Sequence, residues 1–176
     1  MSESPRKAQD FSKPIEALKT CHARIRAECG ALRKLVEHMQ GYGCDAQARK
    51  SAAALMRYFD TAARYHHADE EEDLLPRMMA AATSRPGSRL TRLVADIASE
   101  HREMDRLWTE LRAVLQKISA GENTPLDALE VDRFAKLCSS HIALEEANVY
   151  PLAEMLLSRK DFAEIGSGMA NRRGGA

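Results

Sequence analysis

His66-His67-Ala68-Asp69-Glu70-Glu71-Glu72-Asp73-Leu74-Leu75-Pro76 and His141-Ile142-Ala143-Leu144-Glu145-Glu146-Ala147-Asn148-Val149-Tyr150-Pro151 share one frame. In each, a histidine is followed four residues later by Glu-Glu and ten residues later by proline. Upstream, His22-Ala23-Arg24-Ile25 with Leu32-Arg33 matches His101-Arg102-Glu103-Met104 with Leu111-Arg112, both at an offset of 79 residues. His22 precedes His66 by 44 residues, and His101 precedes His141 by 40. The chain therefore reads as one unit used twice: a helix bearing His, a turn, and a helix bearing His-x-x-x-Glu.

The sequence around these motifs is helical in pattern. Ile15, Leu18, His22, Ile25, Leu32, Leu35 and Met39 recur at three- and four-residue steps, which predicts an amphipathic helix from Pro14 to about Met39. Ser12 is its expected N-cap, and Pro14 suits the first turn, where a missing N–H costs nothing. Gly41-Tyr42-Gly43 stops this helix. Asp45 caps a second, running through Leu55, Phe59, Ala62, His66, Glu70 and Leu74 toward Ala82. Residues 84–88 compose a turn, from which Ser88 opens a third helix striped by Leu90, Val94, Ile97, His101, Met104, Trp108, Leu111 and Leu115 and ended at Gly121. Thr124 and Pro125 are the expected cap and first residue of a fourth, carrying Phe134, Leu137, His141, Glu145, Val149 and Leu152. Pro76 and Pro151 fall where helices continue, so each is expected to kink or end its helix.

Four helices with short connections predict an all-α fold, an antiparallel up-down-up-down four-helix bundle. The expected boundaries are a loose tail at 1–12, the bundle at 13–158 and a short C-terminal extension at 159–176. Within that extension a short helical piece is expected near 161–165, followed by a non-helical, partly disordered Gly-rich end.

Composition agrees. A chain of 176 residues makes one domain with its own core, and Ala, Leu, Arg, Glu and Met dominate over β-formers. Lys plus Arg and Asp plus Glu both number 26, so no basic field points to nucleic acid. The arginines of 171–176 read as a frayed terminus. No signal-peptide core or membrane-length apolar run occurs. The four cysteines form no C-x-x-C pair, which is the pattern of a cytoplasmic protein with reduced thiols. Cys29 and Cys138 lie on apolar faces and read as small buried hydrophobes.

Residues at i and i+4 project from one helix face, so His66/Glu70 and His141/Glu145 each present an imidazole with a carboxylate. All four stripe histidines sit on apolar faces. Burying four imidazoles and two carboxylates is costly without compensation, and a metal centre supplies it. Two symmetric carboxylates bridge two ions more naturally than they saturate one. Each ion then takes two imidazoles, an oxide or hydroxide completes the bridge, and one position stays open. Imidazole and carboxylate without thiolate suit iron or manganese. His67 has the ligand spacing too, but its repeat partner is Ile142, so His67, Glu71 and Glu146 are read as outer or surface groups. His38 has no counterpart and is read as a non-ligand.

On these residues the chain resembles the hemerythrin-like, or HHE cation-binding, family, over about Pro14 to Leu157. The family's order of ligands maps onto His22, His66, Glu70, His101, His141 and Glu145. The resemblance implies a non-haem di-iron centre with bridging carboxylates that binds dioxygen, nitric oxide or a peroxide-derived ligand. Oxygen carriers of the family have a fifth histidine and an Asp as second bridge. This chain has no His between His101 and His141 and carries Glu145, so it is similar to the four-His, two-Glu branch. That branch includes iron–sulfur repair proteins, whose extra cysteine-bearing domain has no room in the 21 residues before His22.

The function expected is a binding protein that senses, stores or scavenges a small diatomic ligand or iron, as monomer or homodimer. A di-iron redox enzyme acting on peroxide or nitric oxide, with Met104 and Trp108 beside its pocket, is the alternative, as is an iron donor for cluster repair. Ferritin-like oxidation drops out, because none of the six histidines follows a Glu by three residues.

Overall fold

The computed structural model describes residues 10–82 and 89–174. Five helices account for most of them, and no strand occurs among the described residues. Helix α1 is Pro14–Tyr42. Helix α2 spans residues 46–81 and contains two π-turns, Phe59–Ala63 and Asp69–Leu74. Helix α3 is Arg89–Ser119. Helix α4 spans 128–156 around a third π-turn, Glu145–Val149, and α5 is Arg159–Arg172. Helix α1 packs on α2 and α4, and α3 packs on the same two. None of the described helices is long and apolar enough to cross a membrane.

The ends of these helices follow local chemistry, with two departures from expectation. Helix α1 starts at Pro14, but residue 13 holds the cap position without a side-chain bond. Ser12 instead turns back to Asp10, its N–H and its hydroxyl both donating to Oδ1. The helix stops at Gly43, whose φ of 68° is the left-handed conformation that favours glycine. Asp45 caps α2, accepting from the Ala48 N–H at 2.8 Å. Helix α4 begins later than Thr124 and Pro125 imply: Asp127 is its cap, accepting from Leu129 N–H at 2.7 Å. Leu126 is buried in the core just before it, which holds residues 124–126 off the helix axis. The expected turn at 84–88 and the Ser88 start lie outside the described residues, as do residues 1–9 of the tail.

The helices end at neither Pro76 nor Pro151. A proline ring in a regular helix collides with the carbonyl four residues back and offers no N–H. A π-turn lies directly before each proline, with Leu75 N–H bonding Glu70 O and Tyr150 N–H bonding Glu145 O, five residues back. The wider turn relieves the collision, and the helix runs on.

The C-terminal stretch also departs from expectation. It forms a 14-residue helix, opened by a reciprocal Ser158–Asp161 capping box. Ile165 and Met169 seat it in the core. Its glycines mark contact rather than breakage: a Cβ on Gly166 would collide with the Phe11 carbonyl oxygen.

Two apolar clusters fill the interior. One contains Ile25, Ala63, Met104, Cys138 and Ile142, the other Leu18, Leu74, Ile97 and Val149. On every long helix the site residues fall between a member of one cluster and a member of the other. A polar layer therefore crosses an otherwise apolar core. Cys29 and Cys138 belong to the first cluster, as their apolar faces predict.

Candidate metal centre

Six polar side chains form this layer, and all are essentially dry: His22, His66, Glu70, His101, His141 and Glu145 are each at most 2% exposed. Helix α1 supplies His22, α2 His66 and Glu70, α3 His101, and α4 His141 and Glu145. They form two overlapping groups: His22, His66, Glu70 and Glu145, and then Glu70, His101, His141 and Glu145. Within each group, one ligand atom per residue lies within 4.8 Å of the others. The imidazoles divide by sequence unit, and the two glutamates belong to both groups.

Each glutamate faces one histidine from each unit. Glu70 Oε1 is 3.7 Å from His66 Nε2, and its Oε2 is 3.5 Å from His101 Nε2. Glu145 Oε2 is 3.0 Å from His22 Nε2, and its Oε1 is 3.2 Å from His141 Nε2.

The opposite edges of three rings are tied to carboxylates nearer the surface. Glu146 meets His22 Nδ1 at 2.9 Å, Glu71 meets His101 Nδ1 at 2.7 Å, and Glu100 meets His141 Nδ1 at 2.7 Å. Glu71 and Glu146 thus serve histidines of the opposite unit, an exchange no single-helix spacing displays. Arg26 in turn grips Glu146 through both Nη atoms, at 3.0 and 3.2 Å. Such outer carboxylates orient imidazole ligands and raise their basicity.

Tyr150 completes the layer. Its fully buried hydroxyl donates to Glu70 Oε1 at 2.8 Å and lies 2.9 Å from His22 Nε2. Neither Tyr150 nor Glu100 was marked by the repeat, because the matching residues are Leu75 and Cys21. The sequence sign for Tyr150 was its place beside Pro151, at the exit of a widened turn.

The donor set suits a cation. Among the described residues, His66 Nδ1 and Nε2, Glu70 Oε2 and Glu145 Oε1 are buried without a hydrogen-bond partner. Orphaned atoms of this kind are rare in native interiors, and here they all belong to three residues of one four-donor group. The titration behaviour agrees. Burial pulls His66 down to about 3, so it stays a neutral lone-pair donor. Burial and the charge of Glu70 push Glu145 up to about 8. Burial also opposes ionisation of Glu70, but His66 and His101 outweigh it and hold that carboxyl well below its ordinary value. Two buried carboxylates at this separation need positive charge between them to ionise together.

A cavity of about 30 Å³ opens beside His66 and His141, lined by Phe59, Met104, Trp108 and Phe134 among others. Met104 and Trp108 are thus both core residues and cavity walls. His67 lines it too, its ring stacked on that of His101 with centroids 3.9 Å apart. His38 is remote from the layer and pairs with Asp45 at 2.9 Å.

The sequence model of the hemerythrin HHE cation-binding domain matches residues 13–153. An uncharacterized protein of Haemophilus influenzae is 28% identical over 172 residues, covering 96% of this chain and 95% of that one.

Proposed function

Because the chain belongs to the hemerythrin HHE cation-binding family, we propose that it is a non-haem di-iron protein that binds a small ligand in a sensing, storage or stress-response role. The ligands in this reading are His22, His66, Glu70, His101, His141 and Glu145, on an antiparallel up-down-up-down bundle. The single observation that carries it is the pair of four-donor groups sharing Glu70 and Glu145. Two iron ions with an oxide or hydroxide bridge would supply reversible redox chemistry and an open position for an exogenous ligand.

The chain's own residues do the rest. The outer carboxylates hold three imidazoles in their ligating tautomer. Tyr150 fixes Glu70 and His22 relative to one another. The walls of the cavity are mostly apolar, and a space of about 30 Å³ suits a ligand of a few atoms. That size favours dioxygen, nitric oxide or a peroxide-derived ligand. The reading places the protein in the cytoplasm, without nucleic-acid or membrane partners.

Iron analysis together with the absorption spectrum of the air-oxidised protein tests the proposal. Two irons per chain with near-ultraviolet charge-transfer bands are expected, and His22→Ala should lower the iron content. Iron-free protein whose metal content is indifferent to His22→Ala would sink it.

A further inference from the structure

The second sequence unit repeats the Glu70-Glu71 pair of the first but not its neighbours. Asp69, Glu72 and Asp73 stand where the second unit has Leu144, Ala147 and Asn148. None of the three extra acids belongs to the metal centre. All three meet the end of α5.

Arg173 brackets Asp69, Nη2 donating to Oδ2 at 2.6 Å and Nη1 to Oδ1 at 3.0 Å. Arg172 donates to Asp69 Oδ1 through Nη1, and through Nη2 to Glu72 Oε2 at 2.8 Å and Asp73 Oδ2 at 2.9 Å. The Asp69 side chain is fully buried, and both arginines are mostly covered. A carboxylate so placed cannot move away from its guanidinium partners without standing as an uncompensated buried charge. Asp69 adjoins Glu70, and both lie in the π-turn Asp69–Leu74.

Helix α5 is itself fixed. A Cβ on Gly168 would meet the Asp73 carboxylate at 2.6 Å, so the Asp73 side chain rests on a face of α5 that glycine leaves open. The Arg173 guanidinium also lies over the rings of Phe11 and Tyr65, at 5.1 and 5.4 Å. The π-turn of the second unit is secured differently. There Asn148 bonds the Leu144 carbonyl at 3.1 Å, and Glu146 is held by His22 and Arg26.

We propose that the C-terminal helix is a clasp on the metal centre, with Arg172 and Arg173 holding the widened turn that presents Glu70. They are positioning residues, acting through Asp69, Glu72 and Asp73. The inference rests on Glu70 being a metal ligand, as argued above. The clasp accounts for the acidic excess that the repeat leaves over.

The test compares full-length wild type, R172M/R173M, R172K/R173K and E70Q after loading with ferrous iron. Iron per chain, its rate of loss to excess chelator and the air-oxidised absorption spectrum are read, with Tm of the metal-free forms alongside. R172M/R173M should lose iron roughly 10–100-fold faster than wild type, with altered near-ultraviolet bands. The lysine pair should recover retention only in part, because an ammonium cannot bracket a carboxylate. Wild-type retention and spectrum in R172M/R173M, even with a lowered Tm, would overturn the clasp. Should the double variant not fold, R172M alone, which keeps the Arg173–Asp69 pair, decides by the same readings. E70Q separates the two ideas: iron loss there with none in R172M/R173M defeats the clasp alone, and wild-type iron in E70Q defeats the metal reading itself.

Discussion

The Nε2 atoms of His101 and His141 lie 3.0 Å apart, while each ring's Nδ1 is bound at 2.7 Å by its own carboxylate, Glu71 and Glu100. With the ring proton on each Nδ1, the tautomer these carboxylates favour, both Nε2 lone pairs are free to ligate. The outer carboxylates therefore set the binding form of the site before any ion arrives.

Removing those carboxylates should weaken the metal without unfolding the protein. Glu100→Ala and Glu71→Ala are each expected to lower iron affinity roughly 10–100-fold. Competition against a chelator of known affinity measures this, and unchanged affinity in both would mean the rings need no such orientation.

Metal count should depend on which ligand is lost. Glu70 and Glu145 belong to both four-donor groups, whereas His66 belongs to one. Glu70→Ala and Glu145→Ala are expected to empty the centre, and His66→Ala to leave the ion of the His101/His141 group. Iron per chain distinguishes these results. Equal losses from all three would contradict the shared-carboxylate arrangement.

Tyr150→Phe removes a buried hydroxyl that serves both His22 and Glu70. The metal-free protein should lose about 1–3 kcal/mol in urea unfolding, the cost of unsatisfied buried partners. With iron bound the loss should shrink, because the ion satisfies the same atoms. A cost that is equal with and without metal would place the phenol's role elsewhere.

Acidity acts on the metal-free protein from two sides. Glu145 titrates near 8 in the fold against an ordinary 4.5, because burial and Glu70 favour its proton. Its contribution to stability is therefore full below 4.5 and lost as pH rises through about 8. Burial gives His66 the opposite course: its contribution is present above 6.5 and lost as pH falls toward about 3. Glu145→Gln should flatten the alkaline decline of Tm and leave the acid side intact. Iron binding at neutral pH should release the Glu145 proton, so affinity should rise with pH and level off above about 8. An alkaline limb unchanged in Glu145→Gln would assign it to another group.

The six-residue centre was legible because i,i+4 spacing and the repeat both act along the chain. Glu100 and Tyr150 were not, since their partners lie across the bundle and their repeat positions hold Cys21 and Leu75. Glu71 and Glu146 could be placed near the site, yet their exchange between units depends on helix packing. The C-terminal helix is hidden from the sequence for a similar reason. Gly166 and Gly168 look like helix breakers until the Phe11 carbonyl and the Asp73 carboxylate are seen against them. Arg172 and Arg173 look like a frayed end until Asp69 is found buried beneath them. The start of α4 moved from Thr124 to Asp127 because a buried Leu126 outweighs a favourable Thr-Pro pair.

The widened turns at Glu70 and Glu145 decide where this protein can lose a residue and where it cannot. A π-turn holds one residue more than a regular helix would place there, and each residue of helix is worth about 100° of rotation. Losing a single codon anywhere in Asp69–Leu74 would let the helix rewind into ordinary geometry. The downstream side chains, Met78 among them, would keep their side of the bundle, because the rewound turn covers the same arc with one residue fewer; a deletion at Asp69 instead moves Glu70 from four residues after His66 to three. Sequences descended from this one can exchange many side chains in these turns, but a residue lost between histidine and glutamate would carry the carboxylate about 100° around the helix from its imidazole.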